Sequence, residues 1–140
     1  MKLVIIDYGS GNLRSVENAF RKSITDNKFR INIEVTNELA SVKKGDFIVL
    51  PGVGSFPDCK RGLEDINGLI ETLSNEVLFK RKPFLGICVG MQLMVEYSLE
   101  NTKTNGFGWL TGYLKKINIS GCLLYTSPSP RDRQKCSMPA

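Results

Sequence analysis

Pro83-Phe84-Leu85-Gly86-Ile87-Cys88-Val89-Gly90-Met91-Gln92 is the stretch on which the fold turns. An apolar run meets a cysteine flanked by glycines, in the pattern G-x-C-x-G, and a helical pattern follows. A side chain on so tight a strand-to-helix turn is forced out beyond the end of the sheet. The flanking glycines remove side chains that would block the turn and the approach of a substrate. The start of the following helix points at the sulfur, and its dipole favours thiolate over thiol. The backbone N–H of Val89 is expected to be free to receive a developing oxyanion. On the pentapeptide alone, a buried structural cysteine explains the pattern equally well, because free cysteine is among the most buried residue types.

Working outward, Leu3 to Asp7 reads as a short buried strand, and Tyr8-Gly9-Ser10-Gly11-Asn12 as a turn. Asn12 suits the cap of a helix in which Leu13, Val16 and Phe20 share a face. Ile31, Ile33 and Val35 alternate with polar residues, as in a half-buried strand. Phe47 to Leu50 is a fully apolar strand broken by Pro51-Gly52-Val53-Gly54. Leu63 to Phe79 has helical spacing, which Gly68 divides. Met91 to Tyr97 reads as a helix, and Phe107 to Ile119 as two short strands around Gly112. Strands alternating with helices through short turns predict an α/β fold with a mostly parallel sheet covered on both faces. In such sheets chemistry gathers beyond the carboxyl ends of the strands. Three glycine-bearing turns fall there: after Asp7, after Leu50 and around Cys88.

The Gly52-Val53-Gly54 turn can aim backbone N–H groups into a cavity and hold a negative oxygen. Pro-Gly turns are common, and an ordinary strand-to-loop turn is the simpler account of it in isolation. Gln92 and Glu96 stand four and eight residues past Cys88, and share one face of the expected helix. A solvated helix face explains both without a substrate. Cys59, in Phe56-Pro57-Asp58-Cys59-Lys60, has no glycine elbow and reads as a bystander thiol.

Composition narrows the chemistry. The chain has 140 residues, is 41% hydrophobic and 24% charged, and contains no histidine. Acting alone, it has no imidazole base, acid or metal ligand. The net charge of +5 is not a nucleic-acid footprint. Residues 1–120 carry 16 basic against 13 acidic groups, a net of +3, and these are scattered apart from Lys80-Arg81-Lys82. A nucleic-acid site is marked by a patch rather than by net charge. Apolar runs of a few residues fall well short of the ~20 needed to span a membrane, and a cytosolic setting is expected. Cys59, Cys88, Cys122 and Cys136 form no C-x-x-C pair and offer no zinc spacing. Residues 1–120 are expected to form one domain or the N-terminal part of one. Residues 121–140 lose apolar periodicity and read as a disordered tail or as non-native sequence; Leu123 to Asp132 resembles translated sequencing-adaptor DNA.

Four blocks together resemble the class I glutamine amidotransferases: Asp7 to Val16, Leu50 to Phe56, Leu85 to Leu93, and Gly106 to Leu110 with Gly112. Within that family they are most similar to glutaminase subunits that pass ammonia to a (β/α)8-barrel cyclase making imidazole glycerol phosphate in histidine biosynthesis. The resemblance implies a three-layer, flavodoxin-like sheet, incomplete at its C-terminal end. It implies that Cys88 attacks the side-chain amide of glutamine and forms a glutamyl thioester. Gly52, Val53, Gly54 and Val89 would supply the oxyanion hole. Gln92 would seat the substrate, with Glu96 a weaker candidate for that role. Tyr8, Gly9, Ser10, Gly11 and Asn12 would face the cyclase in a heterodimer. No metal or organic cofactor is implied.

This family carries a catalytic His and Glu beyond the region of resemblance, and the chain has no His. Without that imidazole a cysteine nucleophile lacks its base and its leaving-group acid. Little or no turnover is therefore expected, along with an exposed sheet edge and apolar surface. Two other functions fit the same residues: a non-catalytic fragment that docks on the barrel, and a cysteine hydrolase that uses the elbow alone.

Overall fold

The computed structural model describes residues 1–118. The tail expected at 121–140 lies outside them. Four parallel strands form the main sheet: β1 (Lys2–Ile6), β2 (Asn32–Thr36), β3 (Phe47–Leu50) and β4 (Phe84–Gly86), in the order β2-β1-β3-β4. The two central strands, β1 and β3, are almost wholly apolar, as strands buried on both faces must be. This is the flavodoxin-like order, whose switch point lies between β1 and β3. The turns that leave those two strands therefore open side by side.

Helix α1 (Leu13–Asp26) lies on one face of the sheet. Asn12 caps it, its side-chain oxygen accepting the Ser15 N–H at 3.3 Å. On the other face lie α2 (Leu39–Lys44), α3 (Phe56–Glu64) and α4 (Leu69–Ser74), the last continued by a π-helical turn at Asn75–Phe79. Ser55 caps α3 by accepting the Asp58 N–H at 3.2 Å, and Pro57 sits in its first turn. Gly68 divides α3 from α4 as its sequence position predicts, with φ +81°. Helix α2 and the early start of α3 were not evident from the apolar period, because each is short and each begins at a loop residue.

The elbow leads into α5 (Val89–Gln92), and the chain then departs from the sequence expectation. The helix does not run on to Tyr97. It gives way to β5 (Val95–Ser98), which joins β6 (Thr104–Asn105) and β7 (Leu110–Leu114) in a second sheet of order β6-β5-β7. The carbonyls of Leu93, Val95 and Glu96 are taken by the N–H groups of Phe107, Gly108 and Gly106, at 2.7–3.0 Å. Tyr97 stacks on Tyr113 with centroids 5.0 Å apart. A side chain at Gly106 would collide with Val95 O, so this approach requires glycine. Gly112 lies inside the single strand β7 rather than between two short strands. Trp109 ties the second sheet to the first layer: its indole N–H donates to Ser74 Oγ at 3.1 Å, and its ring meets Phe84 edge-on.

The Lys80-Arg81-Lys82 triplet has a structural task. Glu76 is buried in the π-helical turn. Lys80 Nζ lies 2.7 Å from its Oε1, and Lys82 pairs with its Oε2 while donating to Lys43 O. Burial alone would push the Glu76 carboxyl up; the two ammonium groups outweigh it and hold the carboxyl below the usual range. Among the described residues no helix is long and apolar enough to cross a membrane.

Candidate functional site

Cys88 stands where β4 turns into α5, with φ +54° and ψ −119°, a region that non-glycine residues rarely occupy. Strain of this kind costs about 1–3 kcal/mol and persists only where the surroundings enforce it. The enforcement is visible here. Ile87 N–H donates to Leu50 O at 2.9 Å, and Gly90 N–H closes back on Ile87 O at 3.0 Å. A Cβ on Gly90 would sit 1.9 Å from Leu50 O, and one on Gly86 would sit 2.6 Å from the Met91 backbone. The two glycines of G-x-C-x-G are thus the condition for pressing the elbow onto the end of β3. Cys88 is exposed, which removes the buried structural cysteine as a reading of this position.

The Pro51–Gly54 turn lies against the elbow. Four successive carbonyls at the end of β3 all have donors. Leu50 O accepts from Ile87, and Pro51 O accepts the Tyr8 hydroxyl at 2.5 Å. Gly52 O accepts the Val89 N–H at 3.3 Å. Val53 O accepts the Ser10 hydroxyl at 2.9 Å and lies 3.2 Å from Cys59 Sγ. The expectation that the Val89 N–H is free is therefore corrected: in this conformation the Gly52 carbonyl occupies it. The Val53 N–H is likewise engaged, by Ser10 Oγ at 3.1 Å. Gly52 is a forced glycine, since a Cβ there would lie 2.7 Å from both Gly90 N and the Tyr8 hydroxyl. Gly54 takes φ +91° to end the turn.

The Tyr8–Asn12 loop divides in its roles. Gly9 and Asn12 are exposed, while Ser10 and Gly11 are partly covered. Tyr8 is buried, with its ring in the core beneath α3. It braces the Pro51–Gly54 turn through Pro51 O, and packs so closely on α3 that a Cβ at Gly62 would meet its backbone at 2.9 Å. Burial pushes the Tyr8 phenol well up; the neighbouring Cys59 adds to this and Ser10 offsets it in part. The group is a neutral hydrogen-bond donor at any physiological pH.

Gln92 ends α5, one turn past the cysteine, and is partly exposed. Glu96 does not share a helix face with it. It lies on β5, and its Oε2 accepts the Gly112 N–H at 3.3 Å. Cys59, read from sequence as a bystander, is 1% exposed and reaches both Val53 O and Ser10 Oγ at 3.2 Å. No local pattern marks it; its place four residues past the Ser55 cap, three past the buried Phe56, turns it inward on α3.

A strained, exposed thiol on an elbow, packed beside a glycine turn at the switch point of a parallel sheet, defines an α/β protein with a cysteine elbow. The family model for glutamine amidotransferase class-I matches residues 4–132, and the chain belongs to that family. Among its relatives is the imidazole glycerol phosphate synthase subunit HisH of Brucella suis biovar 1 (strain 1330), 50% identical over 117 residues, or 84% of this chain and 54% of the relative. The protein of the same description from Mesorhizobium japonicum is 47% identical over the same shares. That from Pelagibacter ubique is 45% identical over 118 residues, 84% of this chain and 55% of the relative. The chain spans about half the length of the curated relatives it matches.

Proposed function

We propose that these residues form the nucleophile-bearing part of a glutaminase subunit. It would release ammonia from glutamine for a (β/α)8-barrel cyclase that makes imidazole glycerol phosphate, in a cytosolic heterodimer. The observation that carries this reading is Cys88, exposed at φ +54° and pinned against the Pro51–Gly54 turn. The thiolate adds to the side-chain carbonyl carbon of glutamine and the oxygen takes up the negative charge. Collapse of the tetrahedral adduct breaks the C–N bond, and the nitrogen leaves with an added proton as ammonia. Water then hydrolyses the thioester to glutamate and the free thiol. Gln92, one turn along, is placed to bind the amino-acid head of the substrate.

In the conformation described, neither the Val53 nor the Val89 amide can receive an oxyanion, since Ser10 Oγ and Gly52 O hold them. The reaction requires the Gly52–Val53 peptide to turn. That motion withdraws the Gly52 carbonyl from Val89 and directs the Val53 N–H inward. The proton that ammonia takes away has no imidazole source among these 140 residues. A His supplied by further sequence completes the machinery in this reading, and the chain alone turns over little or no glutamine.

Ammonia release from glutamine is the test, measured on this chain with a cyclase subunit and on the chain joined to the C-terminal half of a relative. The joined protein is expected to turn over and its Cys88→Ala variant is not. Turnover by the joined protein that survives Cys88→Ala would remove the assignment.

A further inference from the structure

We propose that the amino-terminal edge of the main sheet, at the opposite end from Cys88, is a docking surface for single-stranded nucleic acid. It goes beyond the glutaminase reading and does not rest on it, since no residue of the elbow or its neighbouring turns takes part.

Because all four strands run parallel, their first residues share one edge. Backbone bonds stitch that edge together. Asn32 N–H donates to Met1 O at 2.9 Å, Asp46 N–H to Lys2 O at 2.8 Å, and Ile48 N–H to Pro83 O at 3.0 Å. Basic residues that are scattered along the chain are gathered here. Lys28 and Arg30 lead into β2, and Lys43 and Lys44 end α2 just before β3. Lys80, Arg81 and Lys82 lead into β4, and Lys2 opens β1. Lys82 Nζ donates to Lys43 O at 2.6 Å and so joins two of these groups. The edge thus holds eight of the 16 basic residues in 1–118, against four acidic ones: Asp26, Asp46, Glu34 and Glu76. The rest of the described chain has eight basic and nine acidic residues, so the net positive charge resides on this edge. Glu34 pairs with Lys2, and Glu76 with Lys80 and Lys82. Among the described residues no carboxylate lies within ion-pair distance of Lys28, Arg30, Lys43, Lys44 or Arg81, and all five are exposed. A one-sided patch of this kind is what attracts a polyanion.

Two further observations point to a nucleic-acid strand. Lys28 and Arg81 stand in left-handed backbone, at φ +57° and +56°. Each follows a helix end: beyond Lys28 the Phe29 N–H closes on Ile24 O at 3.0 Å, and beyond Arg81 the Lys82 N–H closes on Glu76 O at 3.1 Å. Glycine is the usual occupant of such a place, because it takes the conformation without strain. Here both places carry a long cation instead, at the two ends of the row. The second observation is aromatic. Phe29 and Phe79 are 58% and 79% exposed, one leading toward the β2 end of the row and the other toward the β4 end. Three strand spacings, about 14 Å, separate those ends. Rings set apart along a row of cations suit bases stacked along a phosphate chain. A membrane or an apolar helix calls for one continuous apolar face.

Fluorescence anisotropy of a labelled oligouridylate of about 12 nucleotides, titrated with the full 140-residue chain from about 50 to 300 mM KCl, tests the surface. Five unpaired cations predict that log K falls against log salt with a slope of about −3.5. Lys28→Gly combined with Arg81→Gly removes two cations and relieves the backbone. Its urea midpoint is expected to hold or rise while the slope becomes shallower by about 1.4. Phe79→Ala is expected to weaken binding ~5-fold or more with the slope unchanged. Lys115→Ala combined with Lys116→Ala, an equal loss of charge after β7, is expected to leave the slope as it is. No binding at the low-salt end overturns the proposal. So does an equal change of slope in the two double variants, which marks net charge alone. A lowered urea midpoint in the glycine pair assigns both side chains to their helix ends and overturns it too. Equally tight binding of polyglutamate or of anionic phospholipid vesicles gives the surface to an acidic protein segment or a membrane, and overturns it likewise.

Discussion

The two faces of the main sheet are packed to different depths. On the face covered by α2, α3 and α4, side chains from β1 (Val4, Ile6) and β3 (Ile48, Leu50) join Phe56, Cys59, Leu63, Leu69 and Leu73 in one continuous buried core, extended by Val89 and Leu93. On the other face, among the described residues, Leu3, Ile5 and Val49 alone are buried, and α1, which covers them, has no buried residue of its own. Among the described residues β4 pairs only with β3. Leu85 is half exposed, and an apolar cavity of about 390 Å³ lies between α1 and Ile87. Tyr8, Phe56 and Val89 anchor the two loops and one side of the elbow to the sealed face, while Ile87 packs on the other. Cys88 can therefore be held in a strained turn while the opposite face stays thinly covered.

The sharpest way to break this contrast is to cut into the sealed face. Leu73→Ala removes a fully buried side chain and is expected to cost ~2–5 kcal/mol in a denaturant titration, the usual range for such cavities. A loss below ~1 kcal/mol would mean that this core is no better packed than the open side.

Next comes the buried carboxylate on the same side. Glu76→Gln leaves Lys82 facing a neutral amide and is expected to cost ~1–3 kcal/mol at neutral pH. Because the Glu76 carboxyl is held below its usual range when folded, its contribution is present above the unfolded value of about 4.3 and is lost as pH falls through the lower folded value. Titrated from pH 6 to 3, the parent is expected to lose more stability than Glu76→Gln. Parallel curves would show that the ion pairs with Lys80 and Lys82 do not act together.

The smallest effect is expected on the open face. Leu85→Ser, half exposed at the edge of β4, should change stability by no more than ~1 kcal/mol while lowering the binding of an apolar dye. A loss equal to that of Leu73→Ala would show that the two faces are packed alike after all.

The site was legible to different degrees for physical reasons. The elbow was readable because its constraint is local: Gly86 and Gly90 are required by atoms a few residues away and by one neighbouring strand end. The Asn12 cap was readable for the same reason, since its acceptor serves Ser15 three residues on. Glu96 was misplaced because helical spacing continues past Gln92, while the carbonyls that would extend the helix are claimed by Gly106, Phe107 and Gly108 from farther along the chain. The inward packing of Tyr8 was not legible because a turn of two glycines, a serine and an asparagine carries no period that says where the tyrosine before it points.

Residue order alone determined the alternation of strands and helices, the three glycine turns at the strand ends and the cysteine at the sharpest of them. Each of these depends on backbone sterics and apolar period within a dozen residues. Tertiary structure decided the rest. It occupied the Val89 and Val53 amides, brought Cys59 to Val53 and turned the segment after Gln92 into a strand. Hydrogen bonds between distant segments are settled only when the sheet brings strand ends together, and a short buried donor carries no periodic signal of the partner it will meet.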